Sequence, residues 1–189
     1  MSHSLQVVAV IGSTSPFSRT LVLARTIVDA LSRHLPLESH VVELTSIGRS
    51  LGQSLTRGEL PASVETELRR IESADLVLAA APVYRGSYPG LFKHLFDMID
   101  ADALVNVPVL LAATGGSERH ALVIEHQLRP LFGFLQALTL PIGVYGTPTD
   151  FDGERVAHPL LLERIELAAE RTAALLGSAN PAVHKRRIA

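Results

Sequence analysis

Five short apolar segments recur along this chain with helix-period stretches between them, and that alternation leaves few folds open. Residues 5–11, 76–81 and 107–113 are near-continuous runs of Val, Ile, Leu and Ala, the composition of strands buried on both faces. Residues 38–44 and 141–145 read as two further strands. Between them, residues 18–31 carry apolar side chains at 21, 24, 27, 28 and 31, the spacing of one helical face. Residues 62–72 read as a charged surface helix and 90–99 as a helix apolar on more than one side. Residues 119–138 read as one long helix, 160–176 as the last helix and 48–60 as a loop. Strands alternating with helices predict an α/β fold, a doubly wound five-stranded parallel sheet of order 2-1-3-4-5 with helices on both faces.

Composition sets the outer bounds. With 189 residues, 47% of them hydrophobic, the expectation is one domain over residues 1–176 and a mobile tail over 177–189 that carries His184, Lys185, Arg186 and Arg187. The chain has no cysteine, which removes disulfides, thiolate metal sites and a cysteine nucleophile. The net charge is −2 and Lys93 and Lys185 are the only lysines, so no basic stripe exists to track nucleic acid. The first six residues lack a basic leader and the run at 7–11 is too short to span a bilayer, which predicts a cytoplasmic protein with no membrane partner.

Three loops follow strands one, three and four, which are neighbours in this order, so they converge on one mouth at the switch point of the sheet. The first runs Gly12-Ser-Thr-Ser-Pro-Phe-Ser-Arg-Thr20 and opens a helix. Its hydroxyls (Ser13, Thr14, Ser18), its backbone N–H groups and Arg19 are what a phosphate monoester requires at a positive helix end. A helix N-cap accounts for Ser18 alone equally well. The second loop, Pro82-Val-Tyr-Arg-Gly-Ser87, is followed by Pro89 at a helix start. Polar and Gly-rich, it suits a flat polar heterocycle, and Tyr84 and Arg85 read as ligand contacts. The third, Thr114-Gly-Gly-Ser117, is either a tight turn or a close backbone approach to a ring oxygen.

Other chemistries lack their motifs. No Gly-Lys-Ser/Thr phosphate loop, G-x-G-x-x-G, G-x-S-x-G or H-E-x-x-H occurs. His120 and His126 stand six apart, off a shared helical face, and His34, His40 and His158 read as surface residues, so no metal site is expected.

The stretches Gly12-Ser-Thr-Ser-Pro-Phe-Ser-Arg19, Ala81-Pro-Val-Tyr-Arg-Gly-Ser-Tyr-Pro-Gly-Leu-Phe-Lys93 and Ala113-Thr-Gly-Gly-Ser117 together resemble the NAD(P)H-dependent FMN reductases of the flavodoxin-like superfold. The likeness is greatest to the reductase components of alkanesulfonate and methanesulfonate two-component monooxygenases. It implies FMN and NADPH or NADH as partners in hydride transfer, with a flavin-dependent monooxygenase receiving reduced FMN. By the same resemblance Ser13, Ser18, Arg19 and Thr20 would hold the FMN phosphate. Pro82, Val83, Tyr84, Arg85, Gly86 and Ser87 would line the isoalloxazine edge, and Thr114, Gly115, Gly116 and Ser117 its pyrimidine side. A homodimer or homotetramer is implied, with Lys93 and Asp97 near the interface; a solvated i,i+4 ion pair explains those two as well.

Electron-carrier flavodoxins clamp the ring between aromatics and are strongly acidic. This chain has no Trp, three Tyr and near-neutral charge, which suits a flavin that is passed on. Hydride transfer between stacked rings needs no catalytic acid or base, and none stands out. The alternatives are an electron carrier, or a quinone or azo reductase, with retained FMN. Within 119–138, Leu128, Leu131, Phe132 and Leu135 keep one helical phase, whereas Leu122, Val123 and Ile124 precede a polar Glu125-His126-Gln127. A single inserted residue, a π-bulge, would account for the slip. The reductases resembled carry such a bulge, generally with tyrosine where His126 stands here.

Overall fold

The computed structural model describes residues 4–178; the expected tail from Ala179 onward lies outside them. Strands β1 (Leu5–Ile11), β2 (Leu37–Glu43), β3 (Leu76–Pro82), β4 (Pro108–Thr114) and β5 (Leu138–Thr139) pair in the order β2-β1-β3-β4-β5, all parallel. This is the order of flavodoxin-like doubly wound sheets. A sixth strand, β6 (Val144–Gly146), also pairs with β4, and β7 (Phe151–Asp152) and β8 (Arg155–Val156) make a small separate hairpin.

Alternation along each strand feeds two apolar layers. Val8 and Val10 of β1 point to one face, where they meet α2 (Leu44–Leu51), α3 (Ala62–Glu72), α4 (Gly90–Asp97) and α5 (Arg129–Phe134). Val7, Ala9 and Ile11 point to the other, against α1 (Arg19–Ser32) and α6 (Pro159–Ser178). A strand covered on both faces has no use for polar side chains, hence the unbroken runs in β3 and β4. Phe92, Phe96 and Phe132 stack edge-to-face through the first layer, with centroids 4.9 and 4.8 Å apart. Gly12 follows β1 under this stack: a Cβ there would lie 2.7 Å from the Phe92 ring.

Four expectations need correction. The stretch 48–60 is not a plain loop: Leu44–Leu51 is α2, whose apolar face covers the sheet, and Arg57–Glu59 forms a 3-10 turn closed by the Thr56–Glu59 capping box. The long helix over 119–138 is broken into a 3-10 turn at Glu118–His120, a π-helix at Ile124–Leu128 and α5. The Arg129 N–H reaches back five residues to the Ile124 carbonyl. Residues 141–145 are not one strand, because the β4 partner is split into β5 and β6, with Pro141 in the gap. Gly177 belongs to α6 rather than to a tail.

Ion pairing anchors the connection before α3. Arg57 donates to Glu65 and Glu72 and meets Asp100 at 2.7 Å, and this shell of carboxylates raises its pKa further while holding Glu65 below the usual carboxylate range.

Candidate active site

At the carboxyl ends of β1, β3 and β4 the three loops surround a cleft of about 790 Å³. Ser13, Ser18, Arg19, Thr20, Pro82, Val83, Tyr84, Thr114, Gly115 and Gly116 line it. Arg85, Gly86, Ser87 and Ser117 do not.

In the first loop the Gly12 N–H is already bonded to the Ala80 carbonyl at 2.7 Å. Ser13 is buried, and its hydroxyl accepts the Ser15 N–H at 3.2 Å. Ser18 stands at the N-cap of α1 with extended backbone, but its hydroxyl makes no capping bond. Its carbonyl takes the N–H groups of Leu21 and Val22, so the N–H groups of Arg19 and Thr20 have no acceptor among the described residues. Arg19 is exposed and has no carboxylate partner among them. An unpaired cation, a free hydroxyl and two orphan donors at a helix N-terminus can hold a dianionic phosphate. Thr20 contributes differently from its neighbours: the residue is 1% exposed and its hydroxyl is bonded to that of Thr114, so what remains unbonded on it is its N–H.

The second loop is a tight hairpin. The Tyr84 N–H donates to the Ser87 carbonyl at 2.7 Å and the Ser87 N–H returns to Tyr84 at 3.2 Å. Arg85 and Gly86 between them have φ of 52° and 88°, the paired left-handed geometry of a type I′ turn. Arg85 and Gly86 form the exposed tip of the hairpin, outside the cleft lining. The Ser87 hydroxyl donates to the Gln127 side-chain carbonyl at 3.0 Å, which ties this hairpin to the π-helix. His126 sits in that π-helix and is exposed on the single chain.

The third loop continues β4. Thr114 is 8% exposed, and its carbonyl accepts the Val83 N–H at 2.8 Å. The Gly115 N–H goes to the Gly146 carbonyl, leaving the exposed Gly116 to supply the free backbone donor of the Gly-Gly pair.

Several lining residues escaped sequence reasoning. Phe17, 87% exposed, stands on the rim of the first loop. Glu43 at the end of β2, and Pro148, Gly153 and Glu154 beyond β6, close the far side. Carboxyl ends of neighbouring strands point to Glu43 and the 147–150 turn once the strand order is known; nothing in the local sequence does so earlier. Lys93 and Asp97 form an exposed i,i+4 pair on α4, as their spacing allows. Of the expected surface histidines, His34 and His40 are held by Glu166 and Glu67 at 2.6 Å each, and His158 lies 3.8 Å from Asp150. Among the described residues His34, Glu166 and Glu170 bring three ligand-type atoms within 4.8 Å of one another, at the end of α1 remote from the cleft, where Arg33 also bonds Glu166.

Comparison with known proteins agrees with this geometry. A family model described as NADPH-dependent FMN reductase matches residues 5–152. The NADH-dependent FMN reductase SfnF of Pseudomonas fluorescens (strain Pf0-1) is 62% identical, covering 94% of this chain and 95% of its own. An FMN reductase (NADPH) of Pseudomonas aeruginosa is 58% identical with the same coverage. Among solved structures, an oxidoreductase from Corynebacterium diphtheriae superposes with a TM-score of 0.84 at 32% identity, over 95% of this chain and all of that one.

Proposed function

Since the chain belongs to the NADPH-dependent FMN reductase family and reduces FMN with NAD(P)H, we propose that its FMN is a travelling substrate, delivered in reduced form to a flavin-dependent sulfonate monooxygenase. The observation that carries this reading is the rim of the cleft. Its two aromatic side chains, Phe17 and Tyr84, are 87% and 43% exposed, so neither closes over the site. A flavin held at its phosphate end and left open at its ring can leave after reduction.

The phosphate is assigned to Ser18, Arg19 and the free N–H groups of Arg19 and Thr20, with Ser13 shaping the loop from beneath. The ring is assigned to the space between Pro82, Val83 and Tyr84 on one side and Thr114, Gly115 and Gly116 on the other. Bound there, FMN accepts hydride at its central ring from a nicotinamide stacked on it. The residues of this chain orient the ring, keep one face open to the donor and present the Gly116 N–H where negative charge develops. Ser87 holds Tyr84 across the hairpin, Arg85 and Gly86 form its exposed tip, and Ser117 ends the third loop.

We assign the chain to a homodimer or homotetramer, with the α4 face bearing Lys93 and Asp97 and the π-helix bearing His126 as the contact surfaces. Among the described residues no helix is long and apolar enough to cross a membrane, which supports the cytoplasmic assignment.

The test is steady-state NADPH and NADH oxidation with FMN, FAD and riboflavin in parallel, on protein dialysed extensively beforehand. Flavin that washes off, with turnover restored by added FMN, supports the reading. Stoichiometric FMN that survives dialysis, with turnover of quinones or azo dyes only, replaces it with the retained-flavin alternative.

A further inference from the structure

Tyr145, on β6, lies beneath the third loop rather than in it. Its hydroxyl donates to the Ser117 carbonyl at 2.6 Å, while its ring packs on the layer that includes Phe92 and Phe132. The turn it reaches is built around it. A Cβ on Gly115 would stand 2.2 Å from that hydroxyl oxygen and 3.1 Å from the ring carbon that bears it. Residue 115 is glycine because the tyrosine passes through the space a side chain would take. The Gly115 N–H is bonded to the Gly146 carbonyl, next to Tyr145, so β6 grips the turn at two successive points. The Ser117 carbonyl also accepts the His120 N–H at 3.2 Å, which fixes the start of the following 3-10 turn. After these bonds the N–H groups of Gly116 and Ser117 remain without an acceptor among the described residues.

We propose that Tyr145 is a positioning residue for flavin reduction: it holds the Gly115–Ser117 turn so that the unpaired Gly116 N–H, which lines the cleft, meets the edge of the ring on which negative charge accumulates as hydride arrives. The proposal rests on the flavin-reductase reading above. Donors fixed before the reaction stabilise the reduced, charged ring more than the oxidised one, and that difference raises the rate. Burial, with Glu118 and Asp150 nearby, pushes the Tyr145 hydroxyl above the ordinary phenol range, so it stays a donor. Without the hydroxyl the turn keeps its Gly115–Gly146 bond but loses its second anchor.

The test uses three variants of the full chain. Tyr145→Phe keeps the ring in the core and removes the anchor. Its expected profile is a melting temperature lowered by no more than about 2–6 °C, an oxidised-FMN Kd within about threefold of wild type and a kcat lower by about tenfold, the scale of one hydrogen bond. Reduced FMN should weaken more than oxidised FMN, read as a lower midpoint potential of the bound flavin. Gly115→Ala forces its methyl against the hydroxyl and should lose at least as much activity. Tyr145→Phe placed on Gly115→Ala removes the atom at 2.2 Å and leaves the ring carbon at 3.1 Å, so the double variant should regain part of what Gly115→Ala loses and reach no higher than Tyr145→Phe alone. Wild-type kcat and potential in Tyr145→Phe, or losses that multiply in the double variant, would overturn the assignment. If the wild-type chain neither binds nor reduces FMN, the flavin-reductase reading falls and this proposal with it; wild-type turnover beside an equally active Tyr145→Phe sinks the proposal alone.

Discussion

The hydroxyls of Thr20 and Thr114 meet at 2.7 Å across 94 residues of chain, both side chains buried. Thr20 belongs to the first turn of α1 and Thr114 ends β4, so the bond joins the phosphate end of the cleft to its ring end. Through its carbonyl Thr114 also holds Val83 of the second loop. One residue thus sets the spacing of all three loops. Replacing either threonine by valine leaves the other hydroxyl buried without a partner and should cost about 1–3 kcal/mol of stability. The double Thr20→Val, Thr114→Val variant should cost less than the sum, because no orphan remains. Urea denaturation of the four proteins measures the cycle; additive losses would show that the two hydroxyls do not depend on each other.

Arg19 has no carboxylate partner among the described residues, so its replacement leaves nothing behind except the missing cation. Arg19→Ala should weaken FMN by about 1.5–3 kcal/mol, the scale of a charge-assisted hydrogen bond, and leave riboflavin nearly unaffected. Fluorescence titration with both flavins checks it. Equal losses would move the phosphate elsewhere in the cleft.

The π-helix reaches the site through Gln127, whose side-chain carbonyl accepts the Ser87 hydroxyl. Deleting His126 removes the extra residue and lets the segment close as regular α-helix with its flanks in place, which re-aims Gln127, inside the former bulge, away from Ser87. His126→Ala keeps the backbone and therefore the bond. The deletion should raise the FMN Kd by about five- to tenfold, matching Gln127→Ala, while His126→Ala changes it little. Should His126→Ala alone reproduce the deletion, the imidazole rather than the helix register is what matters, and assembly measured by light scattering becomes the informative readout.

Arg57 sits among Glu65, Glu72 and Asp100, and Arg57→Ala should destabilise the chain by about 1–3 kcal/mol at neutral pH by leaving three carboxylates facing one another. The sign with pH follows from Glu65, whose folded pKa lies below its ordinary 4.5. Its contribution is complete above that value and is lost as pH falls through the lowered one. The gap between wild type and Arg57→Ala should therefore stay constant from neutrality down to about pH 5 and narrow below it. Denaturation midpoints at several pH values measure this; a gap that widens on acidification contradicts it.

Much of this molecule was readable before its structure. Apolar runs without polar interruption mark β1, β3 and β4 because both faces are covered, and the loops that follow them are determined by the same order. Leu44–Leu51 was hidden because Gly48 and Gly52 look like loop punctuation, whereas Gly48 lies under Leu91, where a Cβ would come within 2.6 Å. The split of the last strand was hidden because Pro141 and Gly143 sit within a segment whose hydropathy still looks continuous. Within the site, hydroxyl-rich loops announce a phosphate, but which hydroxyls are free is a long-range matter. Ser18 and Thr20 are indistinguishable by type, and only the approach of Thr114 withdraws one of them. Tyr145 gives no local sign at all, since its role is defined by a turn thirty residues earlier.

The gap between β5 and β6 has a bearing on how the molecule behaves when crowded. An outer strand usually offers a row of open carbonyls and N–H groups to any other extended chain. Here that row is interrupted by Pro141, and two of its carbonyls are occupied: Arg129 donates to Leu140 at 3.0 Å and Arg164 to Gly143 at 2.9 Å. A guanidinium on each acceptor occupies the place where an incoming backbone would dock and blocks strand addition. Removing both arginines should turn this border of the sheet into a template for aggregation, even where the folded core is left intact.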